Sequence, residues 1–289
     1  KAAVSSRLYD NTPPYSGAIT VDDHAFYVLS VKEPLELPWN QLGVDVVIES
    51  TGRFTKPEDM KKHLQAGAKK VILSAPVEGE GVPTIVRGVN DKDLTDDTTL
   101  VANASCTTNS ITPVAAVILH EFGVEKAMMT TIHSYTADQN LQDGPHKDWR
   151  RARNAAVNIV PTTTGATKAA AQAMPELEGI FHGLAIRVPT PVGSLSDFTF
   201  VTKKSTTIEE VNNALRTASQ NSPYQGILEV TDQPLVSTDI IGSTASAIVD
   251  LALTQVVGGN LVKVIAWYDN EWGYTNRLID QVGIMAGLT

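Results

Sequence analysis

At 289 residues and 42% hydrophobic side chains, the chain is long enough for two domains with cores of ordinary composition. A net charge of −9 argues against a nucleic-acid partner, which demands basic surface, while the single cysteine excludes an internal disulfide and fits a reducing compartment such as the cytoplasm. No stretch is apolar for the length a bilayer requires and no charged-then-apolar signal segment opens the sequence, so no membrane partner is expected.

The opening KAAVSSRLYD reads like the middle of a fold, which leads to the expectation that an N-terminal portion precedes Lys1. Residues 44–49, VDVVIE, form a continuous apolar run of the kind parallel strands show when both faces are covered. After a turn at Thr51 and Gly52, Thr55 with Glu58 predicts a capping box, and Pro57 sits in the first turn of a helix that runs through Met60 and Leu64 to stop near Gly67. Residues 70–74, KVILS, supply the next buried strand, so residues 44–74 make one strand-helix-strand unit with a right-handed crossover. Ligands of such sheets bind beyond the strands' carboxyl ends, here Ser50, Thr51, Gly52, Ser74 and, one strand later, Cys106. Residues 79–84, GEGVPT, lack the last glycine of a dinucleotide fingerprint and place Pro83 where a helix should open, so they read as a surface turn.

Residues 99–102 read as the end of a buried strand, whereas Ile111, Val114, Ala115, Ile118 and Phe122 recur at helical spacing. Between them lies NASCTTN, where Ser105 can cap a helix whose first turn holds Cys106. A thiol there faces unpaired N–H groups and the positive end of the helix dipole, both of which favour thiolate. A lone intracellular cysteine is usually a small core residue. The polar neighbours of Cys106 argue for a nucleophile instead.

Residues 126–136, KAMMTTIHSYT, alternate as a strand with Met129, Thr131, His133 and Tyr135 on one face. His133, at its far end, could take the thiol's proton, although a histidine at a strand end is more often structural, the reading given to the other five. A polar stretch then runs to about Val157, long enough to be a functional candidate, and carries Lys147, Arg150, Arg151 and Arg153. A solvated face is the bland account of Lys147 and Arg150. Thr162, Thr163, Thr164 and Gly165 precede an alanine-rich helix over residues 168–173, and helix N-termini attract phosphate. Arg187 ends a strand over residues 184–188, either in a surface ion pair or as a bidentate phosphate ligand. Strands over 197–202 and 261–268, a helix over 207–218 capped by Thr206 or Thr207, and a further strand within 239–253 predict a mixed α+β second domain.

NASCTTNS, TTIHSYT, PTTTGATKA, RVPTP and YDNEWGY, in this order and at these separations, resemble phosphorylating glyceraldehyde-3-phosphate dehydrogenase from about Leu8 onward. The resemblance implies an α/β fold, with a Rossmann-type doubly wound parallel sheet, N-terminally incomplete, over residues 1–105 and 271–289. A mixed α+β catalytic domain over 106–270 completes it. It also implies NAD-dependent conversion of D-glyceraldehyde 3-phosphate and inorganic phosphate to 1,3-bisphosphoglycerate in glycolysis or gluconeogenesis, through a cysteine thiohemiacetal and thioester. Cys106 matches the nucleophile and His133 the base. Thr136 and Arg187 match the site of the substrate's own phosphate, while Ser105, Thr107, Thr164 and Gly165 match that of the attacking phosphate, with Arg153 contributing from the basic loop. Asn270 matches the residue that orients the nicotinamide amide, Tyr274 flanks that ring, and Ser74 and Lys32 match cofactor contacts. The resemblance implies no metal. It implies a homotetramer, in which the long loop reaches towards a neighbour's cofactor site.

Two departures stand out. The family's glycine fingerprint falls upstream of Lys1, which predicts weak NAD binding by the chain as given. Ser110 stands where many relatives carry a second cysteine, so an oxidised Cys106 has no neighbouring thiol. Three rival readings remain at this level: erythrose-4-phosphate dehydrogenase on the same scaffold, a cysteine hydrolase that would turn over without NAD, and a non-catalytic binding protein.

Overall fold

The computed structural model describes residues 4–7 and 15–288; the rest of the opening segment, including Lys1 and Leu8, lies outside the described residues. The strands β1 (Val4–Arg7), β2 (Tyr15–Val21) and β3 (His24–Leu29) form an antiparallel sheet in that order. A short helix, α1 (Trp39–Leu42), leads into β4 (Val46–Glu49), α2 (Pro57–Gln65), β5 (Lys70–Leu73) and β6 (Leu100–Ala102). The last three strands pair in parallel in the order β4-β5-β6. Alternation along β5 explains why both its faces are apolar. Val71 and Leu73 pack with Met60 of α2, whereas Ile72 packs on the opposite face with Met285 near the C-terminus.

The second half opens with α3 (Cys106–Phe122), whose residues from Thr107 to Ile118 are all buried. Then come β7 (Val124–Ser134), β8 (Val160–Thr162), α4 (Ala166–Ala173), β9 (Phe181–Val188), β10 (Ser194–Thr202) and α5 (Ile208–Gln220). The chain ends with β11 (Leu228–Thr231), β12 (Ala247–Asp250), β13 (Gln255–Val257), β14 (Leu261–Tyr268) and α6 (Trp272–Ala286). An eight-stranded mixed sheet runs β11-β12-β14-β10-β7-β9-β8, with β13 paired to β14. Its inner face stacks Phe181, Phe198 and Phe200 under α3 and α5. Each such ring contributes about 1.5–3 kcal/mol by leaving water. Helix α6 returns to the parallel sheet, placing Leu278, Val282 and Met285 against Ile72 and Val101.

The expected α/β class with a mixed second sheet is observed. Three local expectations are corrected. The capping box of Thr55 does not form, because Pro57 starts α2 at N1 and makes Lys56 the N-cap, while the Thr55 carbonyl accepts from Glu78. The cover of β4 is incomplete: Val47 packs with Met60 on one face and Val46 against Ile72 and Met285 on the other, but Ile48 is 41% exposed. The alanine-rich helix starts two residues earlier than its periodicity suggested, at Ala166. Helix α5 does carry a full capping box, between Thr207 and Glu210.

A buried chain of hydrogen bonds fixes the turn after β4. Trp39 donates from Nε1 to His63 Nδ1 at 3.1 Å, His63 Nε2 meets Glu49 at 3.0 Å, and the other Glu49 oxygen accepts from Thr51 N–H and Oγ1 at 2.8 and 2.6 Å. Burial alone would raise the Glu49 pKa, but the bonds from His63 and Thr51 outweigh it and hold the carboxyl below its usual value. A depressed carboxylate stabilises the fold above its unfolded pKa of about 4.3, and that contribution is lost as pH falls through the folded value. Replacing His63 by leucine strands the carboxylate. Urea unfolding at neutral pH is expected to show a loss of about 3–5 kcal/mol, partly restored by the further change Glu49→Leu.

Candidate active site

Beyond β6 the chain turns through Asn103, Ala104 and Ser105 into α3. Ala104 takes φ 54°, a left-handed conformation that costs a residue with a Cβ about 1–2 kcal/mol. Ser105 caps the helix as expected, its Oγ accepting from Thr108 N–H at 3.1 Å, and Cys106 becomes the first helical residue.

Strand β7 brings His133 to the thiol, with Nε2 3.5 Å from Sγ. The imidazole is 2% exposed and packs edge-to-face on Tyr268, with centroids 5.9 Å apart. The Tyr268 hydroxyl bridges Thr131 at 2.8 Å and Thr107 at 3.0 Å, so β7, β14 and α3 are tied together behind the pair. Strand β9 runs parallel to β7 with Arg187 in register with His133. Arg187 Nη1 therefore lies 3.0 Å from His133 Nδ1, 3.1 Å from the Ser134 carbonyl and 3.4 Å from Thr136 Oγ1. His133 Nδ1 is itself 2.6 Å from that carbonyl, a separation that suits Nδ1–H as donor and leaves the Nε2 lone pair facing Sγ.

Burial, then the charges of Arg187 and Arg151, hold the His133 pKa down to about 3, so the ring is neutral near pH 7. Burial pushes the Cys106 thiol up, and the opposing pull of Arg187 and the Thr107 bonds does not reverse it. Desolvation thus works against the helix start, which favours thiolate at Cys106.

Two helix starts, those of α3 and α4, meet beside Cys106. Thr108 Oγ1 donates to the Ala166 carbonyl at 3.5 Å, joining the first turns of α3 and α4, and Ala166 N–H donates to Thr164 Oγ1 at 3.2 Å. Gly165 is the N-cap of α4 and no side chain caps that helix. Ser105, Thr107, Thr164 and Gly165 are thus collected around these two turns. Arg153 is not among them. A turn in the loop faces it outwards, where it is 66% exposed and 4.0 Å from Asp143. Arg151 takes the inward position, donating from Nε to Thr162 Oγ1 at 2.9 Å and from Nη2 to the Thr163 carbonyl at 3.1 Å while pairing with Asp138.

On the other flank, the Asn270 Oδ1 accepts from Ser134 Oγ at 2.8 Å and from Gly193 N–H and Ser194 Oγ, both at 3.1 Å. Three donors fix the amide's orientation. Gly193 is required there, since at φ 94° a Cβ would fall 2.5 Å from the Ser237 carbonyl. Tyr274 donates to the Ala104 carbonyl at 3.2 Å with Ser74 beside its hydroxyl, and burial raises its pKa to about 12. Lys32 is exposed and bonds to none of these residues.

Residues 105–270 match the model of the glyceraldehyde 3-phosphate dehydrogenase C-terminal domain, and residues 5–57 match the model of that enzyme's NAD binding domain. Glyceraldehyde-3-phosphate dehydrogenase 2 of Streptomyces arenae is 50% identical over 279 residues, which cover 96% of this chain and 83% of that protein. The chain belongs to the glyceraldehyde 3-phosphate dehydrogenase family. The Mycolicibacterium smegmatis enzyme is 53% identical over 92% of this chain and 78% of its own. A chloroplastic enzyme of Arabidopsis thaliana is 51% identical over 93% and 60%.

Membership of the glyceraldehyde 3-phosphate dehydrogenase family makes the protein an NAD-dependent oxidoreductase. The residues present fit the nicotinamide end of that cofactor. With Asn270 Oδ1 saturated by three donors, its Nδ2 hydrogens have no partner among the described residues and remain for a carboxamide oxygen. Three residues of this glyceraldehyde 3-phosphate dehydrogenase site were missed in the sequence. Tyr268 carried a signal, since it continues the buried alternation Val262, Val264, Ala266. Ser134 carried none, because strand alternation would turn it away from His133, yet both are buried at the strand's end. Arg151 lay in an aperiodic loop beside three other basic residues.

Proposed function

We propose that the chain oxidises D-glyceraldehyde 3-phosphate to 1,3-bisphosphoglycerate, with Cys106 as acyl carrier and His133 as general base. The observation that carries this reading is the 3.5 Å approach of the His133 imidazole to the only thiol, beside a guanidinium with no carboxylate partner among the described residues. Bound NAD supplies the acceptor for the hydrogen and electrons released when the adduct is oxidised. Sγ attacks the aldehyde carbon while Nε2 of His133 takes the thiol proton, and the N–H of Cys106 faces the developing oxyanion. The imidazolium returns the proton to give the thiohemiacetal hydroxyl and takes it again as the carbon becomes a thioester. Inorganic phosphate held by Ser105, Thr107, Thr164 and Gly165 then attacks, the C–S bond breaks, and the proton returns to sulfur. Arg187 and Thr136 hold the substrate's own phosphate, while Arg151 joins the attacking-phosphate group in the place first given to Arg153. Asn270 and Tyr274 hold the nicotinamide end of the cofactor, and Ser74 and Lys32 make further contacts with it.

In this reading residues 1–105 and 271–289 form the cofactor domain and 106–270 the catalytic domain; the return of α6 to the parallel sheet supports the division. A cytoplasmic homotetramer accords with the lone cysteine and with the exposed Trp149, Val157 and Ile159 along the loop. Reduction of NAD that requires both the aldehyde and inorganic phosphate tests the reaction, and aldehyde consumption without NAD would favour the hydrolase. Arg187→Leu removes charge-assisted bonds of about 1.5–3 kcal/mol. The KM for the phosphorylated aldehyde is expected to rise roughly 10- to 150-fold while kcat changes little. An unchanged KM would remove Arg187 from the substrate site.

A further inference from the structure

We propose that His63 and Glu49 are positioning residues for the cofactor: a locked imidazole tautomer aims the buried carboxylate, and the carboxylate holds the turn over residues 50–52 in the shape that receives NAD. The inference rests on the reading of residues 1–105 as part of the cofactor domain and goes beyond it, because it gives a role to two buried side chains that act only through that turn.

The direction of the relay follows from the indole. Trp39 Nε1–H can only donate, so His63 Nδ1, 3.1 Å away, presents its lone pair and the ring proton sits on Nε2. Nε2 then donates to one Glu49 oxygen at 3.0 Å, and the other oxygen accepts from Thr51 N–H at 2.8 Å and Thr51 Oγ1 at 2.6 Å. Thr51 Oγ1 accepts in turn from Arg53 N–H at 3.2 Å, while the Glu49 carbonyl accepts from Ser74 N–H at 2.9 Å. One residue thereby fixes the chain at the carboxyl ends of both β4 and β5, where ligands of a parallel sheet bind.

Burial sets this arrangement apart from core packing. Glu49 and His63 are each 3% exposed, whereas residues 50–53 are exposed, so the turn has little apolar contact of its own to define it. Gly52 adds freedom there, with φ 69°. A buried carboxylate is a poor source of net stability beside apolar residues of equal volume. Two charge-assisted bonds to one turn residue supply direction instead.

Calorimetric titration of the full-length protein with NAD tests this, with melting curves to confirm folding. The apolar pair His63→Leu with Glu49→Leu keeps the volume buried but leaves the turn unheld, and its Kd is expected to rise about 10- to 100-fold. A parental Kd in that pair would show that the two residues serve the core alone, and would overturn the proposal. Glu49→Gln is expected to weaken binding to a similar extent. Its amide nitrogen must face either His63 Nε2–H or the Thr51 donors, and Trp39 keeps the ring from changing tautomer. Adding Trp39→Phe frees Nδ1 to take the ring proton, so that Nε2 accepts from the new amide and the amide oxygen accepts from Thr51. The Kd of this double variant is expected to return to within about threefold of the parent's. Binding no tighter than that of Glu49→Gln would overturn the relay.

Histidine nitrogen resonances of the 15N-labelled, NAD-free protein give a readout apart from binding. The His63 signal, assigned by its loss in the apolar pair, is expected to report a proton on Nε2 in the parent and on Nδ1 in Trp39→Phe with Glu49→Gln; a parent with the proton on Nδ1 overturns the proposal. Because no turnover is needed, the readings fail separately. A parent that binds no NAD overturns the cofactor-domain reading and this inference with it, whereas tight NAD binding by the apolar pair sinks this inference alone.

Discussion

Cys106→Ala is expected to lower kcat by roughly five to six orders of magnitude, as removal of a covalent nucleophile does, while the melting temperature stays close to that of the parent. The chain has no other thiol, and the neighbouring hydroxyls cannot replace it. Ser105 Oγ is committed to capping α3, and Thr107 Oγ1 is held by Tyr268 at 3.0 Å. Neither faces Nε2 of His133, so neither can hand its proton to the base. Alanine at the first helical position keeps the cap and the backbone turn at Ala104, and the loss is only of a half-buried sulfur atom. Residual turnover above about 1% in a folded, thiol-free variant would place the acyl group elsewhere.

Much of this site was legible because its parts sit where periodicity changes. Cys106 lies at the boundary between a period-two run and a helical one, and His133 lies where a clean alternation stops. Boundaries of that kind fall at strand ends and helix starts, which is where α/β proteins place their chemistry. The parallel pairing of β4 and β5 followed from two apolar runs and a helix between them. What failed followed from context that a pattern does not carry. Thr55 and Glu58 had the spacing of a capping box, but Pro57 decided where the helix begins. Arg153 and Arg151 are separated by one residue in a loop without regular structure, and only the turn that turns Arg153 outwards tells them apart. The thiol shows the same limit: a helix end is visible in sequence, whereas the burial that opposes its pull on Cys106 is a property of the assembled pocket.

His133→Asn, the second large effect, separates the base from the scaffold. Asparagine can keep a donor near the Ser134 carbonyl, now met by Nδ1 at 2.6 Å, and its volume is close enough to preserve the packing on Tyr268. It has no group that can accept a proton from sulfur. Loss of a positioned general base predicts a fall of about 10²- to 10⁴-fold in both acylation and the oxidation that follows, measured by single-turnover reduction of NAD. The pH dependence distinguishes this from damage to binding. Without His133, attack depends on thiolate formed by ionisation to solvent, so the variant's acylation rate should rise about tenfold per pH unit. Because burial raises the thiol, that rise should continue beyond about pH 8.5, the ordinary cysteine value. The parent, in which the proton moves within the pair, should be far flatter over the same range. A variant that is slow but as flat as the parent would mean that His133 only positions Cys106, and the base would have to be sought elsewhere.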